Sequence, residues 1–113
     1  MERVNQYRQI VSDFLQDFAA DDPEAQLIFD QQRDRYLVMH IGWRGDYRIY
    51  SCAMQLDLIK RKVWIQHNSP EIVIDRELVQ LGIAPQHIVL GFRAPKVRER
   101  LAAALQRDVG SKP

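Results

Sequence analysis

The sequence predicts an α+β domain: an N-terminal helix, a four-stranded antiparallel β-meander, then two or three short C-terminal helical segments. Three observations carry this expectation. Apolar residues recur at helical spacing from Glu2 to Ala19, and alternate with polar ones in four later runs separated by very short turns. Beyond Ser69-Pro70 the pattern breaks into short pieces punctuated by Gly82, Pro85 and Pro95. The 113 residues suffice for one domain, 1–113, with one core.

In the first element Val4, Tyr7, Val11, Phe14 and Phe18 fall three or four apart, with Ile10 and Leu15 widening the stripe. That is an amphipathic helix with an aromatic-rich face. It should stop near Ala20, because Asp21-Asp22-Pro23 joins turn formers to a proline that disfavours helix before it. Ala25 to Phe29 and Arg35 to Trp43 read as strands. In the second, Leu37, Met39, Ile41 and Trp43 share one face, and Tyr36, Val38 and His40 the other. One face should meet the helix. If C-terminal elements cover only part of the other, apolar residues around Tyr36 and Val38 favour a homodimer or a protein partner.

Arg44-Gly45-Asp46 is a tight hairpin connection. Tyr47 to Leu58 follows as a third strand, with Tyr50, Cys52, Met54, Leu56 and Leu58 on one face against Ser51, Gln55 and Asp57. Ile59 to Arg61 turns the chain and Lys62 to Asn68 brings it back as the fourth strand, closing the meander. Asp75 begins a short helix that Gly82 ends through a left-handed residue, and Ile88 to Leu90 is an apolar run stopped by Gly91. Pro95 opens the closing helix, with frayed residues expected from Val109 onward.

Composition narrows the function classes. The apolar fraction is 46%, and no unbroken apolar run approaches the roughly 20 residues of a membrane span. Met1-Glu2-Arg3 leads directly into polar residues, as no secretory signal does, and Cys52 is a lone cysteine. Both features predict a reducing cytoplasm. A net charge of +1 conceals an acidic first third, with two basic and seven acidic residues to Asp30, followed by a basic remainder. Such asymmetry fits an acidic helix lying beside basic strands better than a nucleic-acid domain, which usually carries a stronger basic excess.

Catalytic chemistry is poorly represented. His40, His67 and His87 are too scattered for a zinc motif, so no metal or other cofactor is expected. Cys52, flanked by apolar residues, resembles a small buried side chain more than a nucleophile. Asp57 and Glu71 could pair as the fourth strand returns beside the third, with His67 nearby, but the spacing of nuclease carboxylates is absent. The five glycines form no phosphate-cradling loop. A non-enzyme is expected.

The candidate contact residues form two groups. Trp43, Arg44, Tyr47 and Arg48 gather aromatic rings and guanidinium groups at a hairpin, a combination that stacks on bases or holds phosphates. Trp43 and Tyr47 would serve equally as a cross-strand aromatic pair. The closing helix contributes Arg93, Lys96, Arg98, Arg100 and Arg107, diluted by Glu99 and Asp108.

A set of residues running through the chain carries a family resemblance: Gln6-Tyr7-Arg8, Trp43, Gly45, Arg48, Tyr50, Cys52, Trp64-Ile65-Gln66, Glu71, Gly82, Pro85, Ile88 to Gly91, Pro95 and Arg98. With them the chain resembles the cyanobacterial XisI family, the fdxN-element excision controlling factors. It departs from the family's pattern at Ile59-Lys60-Arg61-Lys62, where a turn glycine is expected. Asn68-Ser69-Pro70 replaces an expected Asp-Gly-Thr, and Gln55 stands where many relatives carry histidine. The resemblance implies a non-catalytic accessory factor in site-specific DNA excision whose partner, of the XisH type, is nuclease-like and supplies the acidic metal site. The rival expectation is direct DNA binding through the basic hairpin and the closing helix.

Overall fold

In a computed structural model, which describes residues 2–68 and 74–110, a long helix lies against one face of a five-stranded sheet. The order is α1 (Glu2–Ala19), β1 (Ala25–Asp30), β2 (Arg35–Arg44), β3 (Tyr47–Ile59), β4 (Lys62–His67) and α2 (Ile74–Leu81). A 3-10 turn (Pro85–His87), β5 (Ile88–Leu90) and α3 (Pro95–Gly110) complete it. Strands β1 to β4 form the expected antiparallel meander, in spatial order β1-β2-β3-β4-β5. The fifth strand was not expected. Its three residues run parallel to β4, with Val63 opposite Ile88 and Ile65 opposite Leu90. A three-residue apolar run has no periodicity of its own, so the parallel register is set by α2 and the turn that carry the chain back across the sheet. Among the described residues, no helix is long and apolar enough to cross a membrane.

The helix face of the sheet holds the core. Tyr7, Val11 and Leu15 from α1 meet Tyr36, Val38, Met54, Leu56, Val63 and Ile65, all buried, with Phe14, Phe18 and Phe29 packed around them. This inverts the expected role of Tyr36 and Val38: at 1% and 0% exposure they belong to the core, and the face left open is the one carrying Leu37, Met39, Ile41 and Trp43. Periodicity separates two faces without saying which one the helix covers. The third strand also departs from simple alternation. Cys52 lies opposite Met39 while Met54 lies opposite Val38, so Ala53 is an extra residue in a β-bulge. Tyr50 and Cys52 therefore sit on the open face, across the sheet from Met54, Leu56 and Leu58.

Polar side chains lock the helix to the turns. Asp34, at φ 57° between β1 and β2, accepts Arg8 through both carboxylate oxygens, at 2.8 and 3.0 Å, and the Tyr36 hydroxyl at 3.0 Å. The Arg8 guanidinium holds the Asp34 carboxyl below the usual range, and burial pushes the Tyr36 hydroxyl up to about 12. On the same helix, the Tyr7 hydroxyl accepts the Ala84 N–H at 3.1 Å and lies 2.7 Å from Nδ1 of His87. Burial lowers the His87 pKa, which favours a neutral ring able to accept the Tyr7 proton. Tyr7→Phe removes both bonds and orphans a backbone donor. It is expected to cost about 2 to 3 kcal/mol in urea unfolding, with an unchanged m-value.

Two turns show how local chemistry sets the chain path. Helix α2 ends in a Schellman arrangement: Gly82 at φ 119° donates to the Val79 carbonyl and Ile83 donates to the Leu78 carbonyl, as the sequence implied for Gly82. The β3–β4 connection is less favourable. Lys60 and Arg61 adopt φ of 51° and 66°, the paired left-handed conformation of a type I′ hairpin that Asn-Gly fills readily. The double change Lys60→Asn/Arg61→Gly should stabilise the domain by about 1 kcal/mol or somewhat more, read as a higher denaturation midpoint.

Candidate functional site

The open face of β1 to β3 gathers several of the exposed apolar side chains among the described residues. Alternation from the buried Val38 places Leu37, Met39 and Ile41 on it, half-buried, and Trp43 at the end of β2, 55% exposed. Through the register, Ile28 pairs with Leu37 and Tyr50 with Ile41, at 47% and 67% exposure. The bulge at Ala53 brings Tyr50 and Cys52 to this surface. Burial pushes the Cys52 thiol up, so it is a protonated apolar contact rather than a nucleophile.

At the far end of the same face lies Asp57, 3% exposed. Its carboxylate accepts the Gln55 amide at 3.1 and 3.2 Å and the Gln66 amide at 3.2 Å, with Arg35 Nε 3.6 Å away. Three donors from β2, β3 and β4 thus surround it. Of its expected companions, His67 lies opposite Gln55 in the β3–β4 register and is exposed, and Glu71 falls outside the described residues.

The expected hairpin group is assembled, but with different partners. Trp43 pairs with Arg48 and Arg44 with Tyr47, so the expected Trp43–Tyr47 aromatic pair is not formed. Strand register decides this: in a two-residue connection, residues 43 and 48 face each other. The Arg48 guanidinium lies over the Trp43 ring at 4.9 Å, and Tyr47 is 70% exposed. Arg44 turns back to Glu24 at 3.0 Å. The second group lies on the other side of the sheet order, at α3 beside β5. Arg93 covers Phe92 at 4.9 Å, Arg98 covers Trp64 at 5.3 Å, and Lys96 is exposed in the first turn. Four of the six candidate arginines therefore have intramolecular partnerships with rings or a carboxylate, which reduces the charge free to meet phosphates.

One cluster has no counterpart in the sequence reading. Asp22, Glu24 and His40 bring one potential metal-ligand atom each to within 4.8 Å of the others. His40 Nε2 lies 2.9 Å from Glu24 and Nδ1 lies 3.8 Å from Asp22, while Glu24 also accepts Arg44. The β1–β2 register alone unites residues so far apart in sequence. Gly42 makes room for it, because the Glu24 carboxylate occupies the space a Cβ there would take. The Arg44 and His40 hydrogen bonds drop the Glu24 pKa from an ordinary 4.5 to about 2. A carboxylate depressed in this way stabilises the fold above its unfolded pKa, and that contribution is lost as pH falls from about 4.5 to about 2. Glu24→Gln should accordingly flatten the fall of melting temperature across that interval.

The comparisons agree with this architecture. The family model described as XisI protein matches residues 1–104.

The chain belongs to the XisI family.

Among solved structures, this XisI-family protein is similar to a XisI-like protein from Anabaena variabilis ATCC 29413. The two share 36% identity at a TM-score of 0.81, over 86% of this chain and 94% of the other. It is also similar to the fdxN element excision controlling factor XisI from the same organism, at 28% identity and a TM-score of 0.77, over 88% of this chain and 96% of the other. No curated protein matches. The α+β fold expected from the sequence is that of the XisI-like structures.

Proposed function

We propose that this XisI-family chain is a non-catalytic controlling factor for site-specific DNA excision that acts by binding a nuclease-like protein of the XisH type. The observation carrying the reading is the open face of β1 to β3, where Ile28, Met39, Ile41, Trp43 and Tyr50 present a contiguous apolar and aromatic surface. Large exposed apolar patches mark interaction sites, and Trp and Tyr are enriched among residues that dominate binding energy. Arg48, stacked on Trp43, forms part of the polar rim. Kinship with a structure named as an excision controlling factor supports the biological setting.

The engagement of Arg44, Arg93 and Arg98 within the chain favours a protein partner over direct contact with DNA. Co-expression of the tagged chain with an XisH-type protein, followed by purification with and without nuclease, tests the proposal. A stoichiometric complex in both preparations, stable at high salt, is expected. Failure to form it, with the chain instead binding duplex DNA with steep salt dependence, would reverse the assignment.

A further inference from the structure

Strand β1 is one edge of the sheet, and its hydrogen-bonding direction is fixed by a single contact. The Ile41 N–H donates to the Glu24 carbonyl at 3.1 Å, which makes residues 24 and 41 a hydrogen-bonded pair in the β1–β2 register. In an antiparallel ladder such pairs alternate. Residues 26, 28 and 30 therefore point their backbone groups at β2, and Leu27 and Phe29 point theirs away from the sheet. Ala25 also points outward, but its N–H already donates to Asp22 at 3.1 Å.

This edge lacks the usual protection. The six residues Ala25–Asp30 contain no proline, lysine or bulge, and Leu27 and Ile28 are 42% and 47% exposed on opposite faces. Exposed apolar edges of this kind pair with another strand. The opposite edge, β5, is only three residues long and has α3 packed beside it.

We propose that β1 is a self-association edge, pairing antiparallel with β1 of a second copy about a two-fold axis at Ile28 to form one continuous ten-stranded sheet. This register places Leu27 opposite Phe29 of the second copy, so the four outward groups on each strand are exchanged across the interface. Gln26 then faces Asp30, whose charge is already met by Arg33 at 2.8 Å. Centring the axis on Leu27 instead would set Glu24 against Asp30 of the second copy, carboxylate against carboxylate. The fit of this edge to itself in one register identifies a second copy as the occupant rather than an unrelated strand.

Register can be read by cross-linking the full chain in a Cys52→Ser background. Ile28 would face its counterpart in a non-hydrogen-bonded pair, about 4.5 Å between Cα atoms, within disulfide reach. Ile28→Cys is expected to oxidise to a covalent dimer, and Gln26→Cys is not. Sedimentation equilibrium should give twice the 13.3 kDa chain mass, returning to the single mass for Ile28→Lys with its melting curve retained. Amide exchange at Leu27 and Phe29 should slow with rising concentration. A chain that is monomeric up to hundreds of micromolar overturns the proposal. So does a dimer indifferent to Ile28→Lys but broken by Ile41→Asp, which would mean that copies meet through the open face instead. Ile28 also belongs to the proposed XisH-type contact face, so Leu27→Pro, which removes an outward N–H of β1 on a residue of the opposite face, and Ile41→Asp separate a failure of one proposal from a failure of the other.

Discussion

Val38→Asp is expected to unfold the domain. Val38 is fully buried between α1 and the sheet, among Tyr7, Val11, Met54 and Leu56, and the described residues supply no cation in that cluster. An aspartate there is either an unpaired buried charge or a neutral acid without a designed hydrogen-bond partner. The cost is about 4 kcal/mol or more, against a total stability of about 5 to 15 kcal/mol for a domain. Circular dichroism at 25 °C should show loss of the cooperative transition or a fall of roughly 20 °C or more in its midpoint.

The neighbouring substitution gives the opposite result. Met39 points to the open face and is already partly hydrated, so Met39→Asp should change stability by no more than about 1 kcal/mol. On the proposed function its effect falls on partner binding, because a carboxylate placed among Leu37, Ile41 and Tyr50 must lose water when an apolar surface closes over it. Such a change at the centre of an interface weakens affinity by about 100-fold, equivalent to about 2.7 kcal/mol. Titration calorimetry against the XisH-type protein measures this directly. Two adjacent residues, one lethal to the fold and one lethal to binding, form the sharpest test of which face is which. Equal loss of stability in both variants would contradict the face assignment.

The contrast also marks where sequence pattern stops being informative. The period of β2 is plain, yet both of its faces are apolar, and Tyr36 looks no more like a core residue than Trp43 does until α1 is placed. In β3 the run of alternate apolar positions from Tyr50 to Leu58 looks unbroken in sequence. The bulge at Ala53 divides it into an open-face half and a core half. Nothing in the letters marks the bulge, because alanine is acceptable in either register. The candidate hairpin residues were recognisable as aromatics and arginines near a glycine turn. Their pairing, Trp43 with Arg48, required the register.

Local rules were enough for the elements whose signals lie within a few residues of each other. The helical stripe from Val4 to Phe18, the stop before Pro23, the turn at Gly45, the left-handed end at Gly82 and the start at Pro95 all follow from backbone sterics and short-range hydrogen bonding. Those forces act on neighbours, so neighbours in sequence record them. The family kinship was legible too, since it rests on residues spread along the chain. What depended on the folded molecule was every relation between distant segments. The parallel fifth strand, the meeting of Asp22 and Glu24 with His40, the choice of covered face and the exposed backbone of β1 belong there. Each is decided by packing and by hydrogen bonds across the sheet, and such interactions leave no fixed spacing in the chain that forms them.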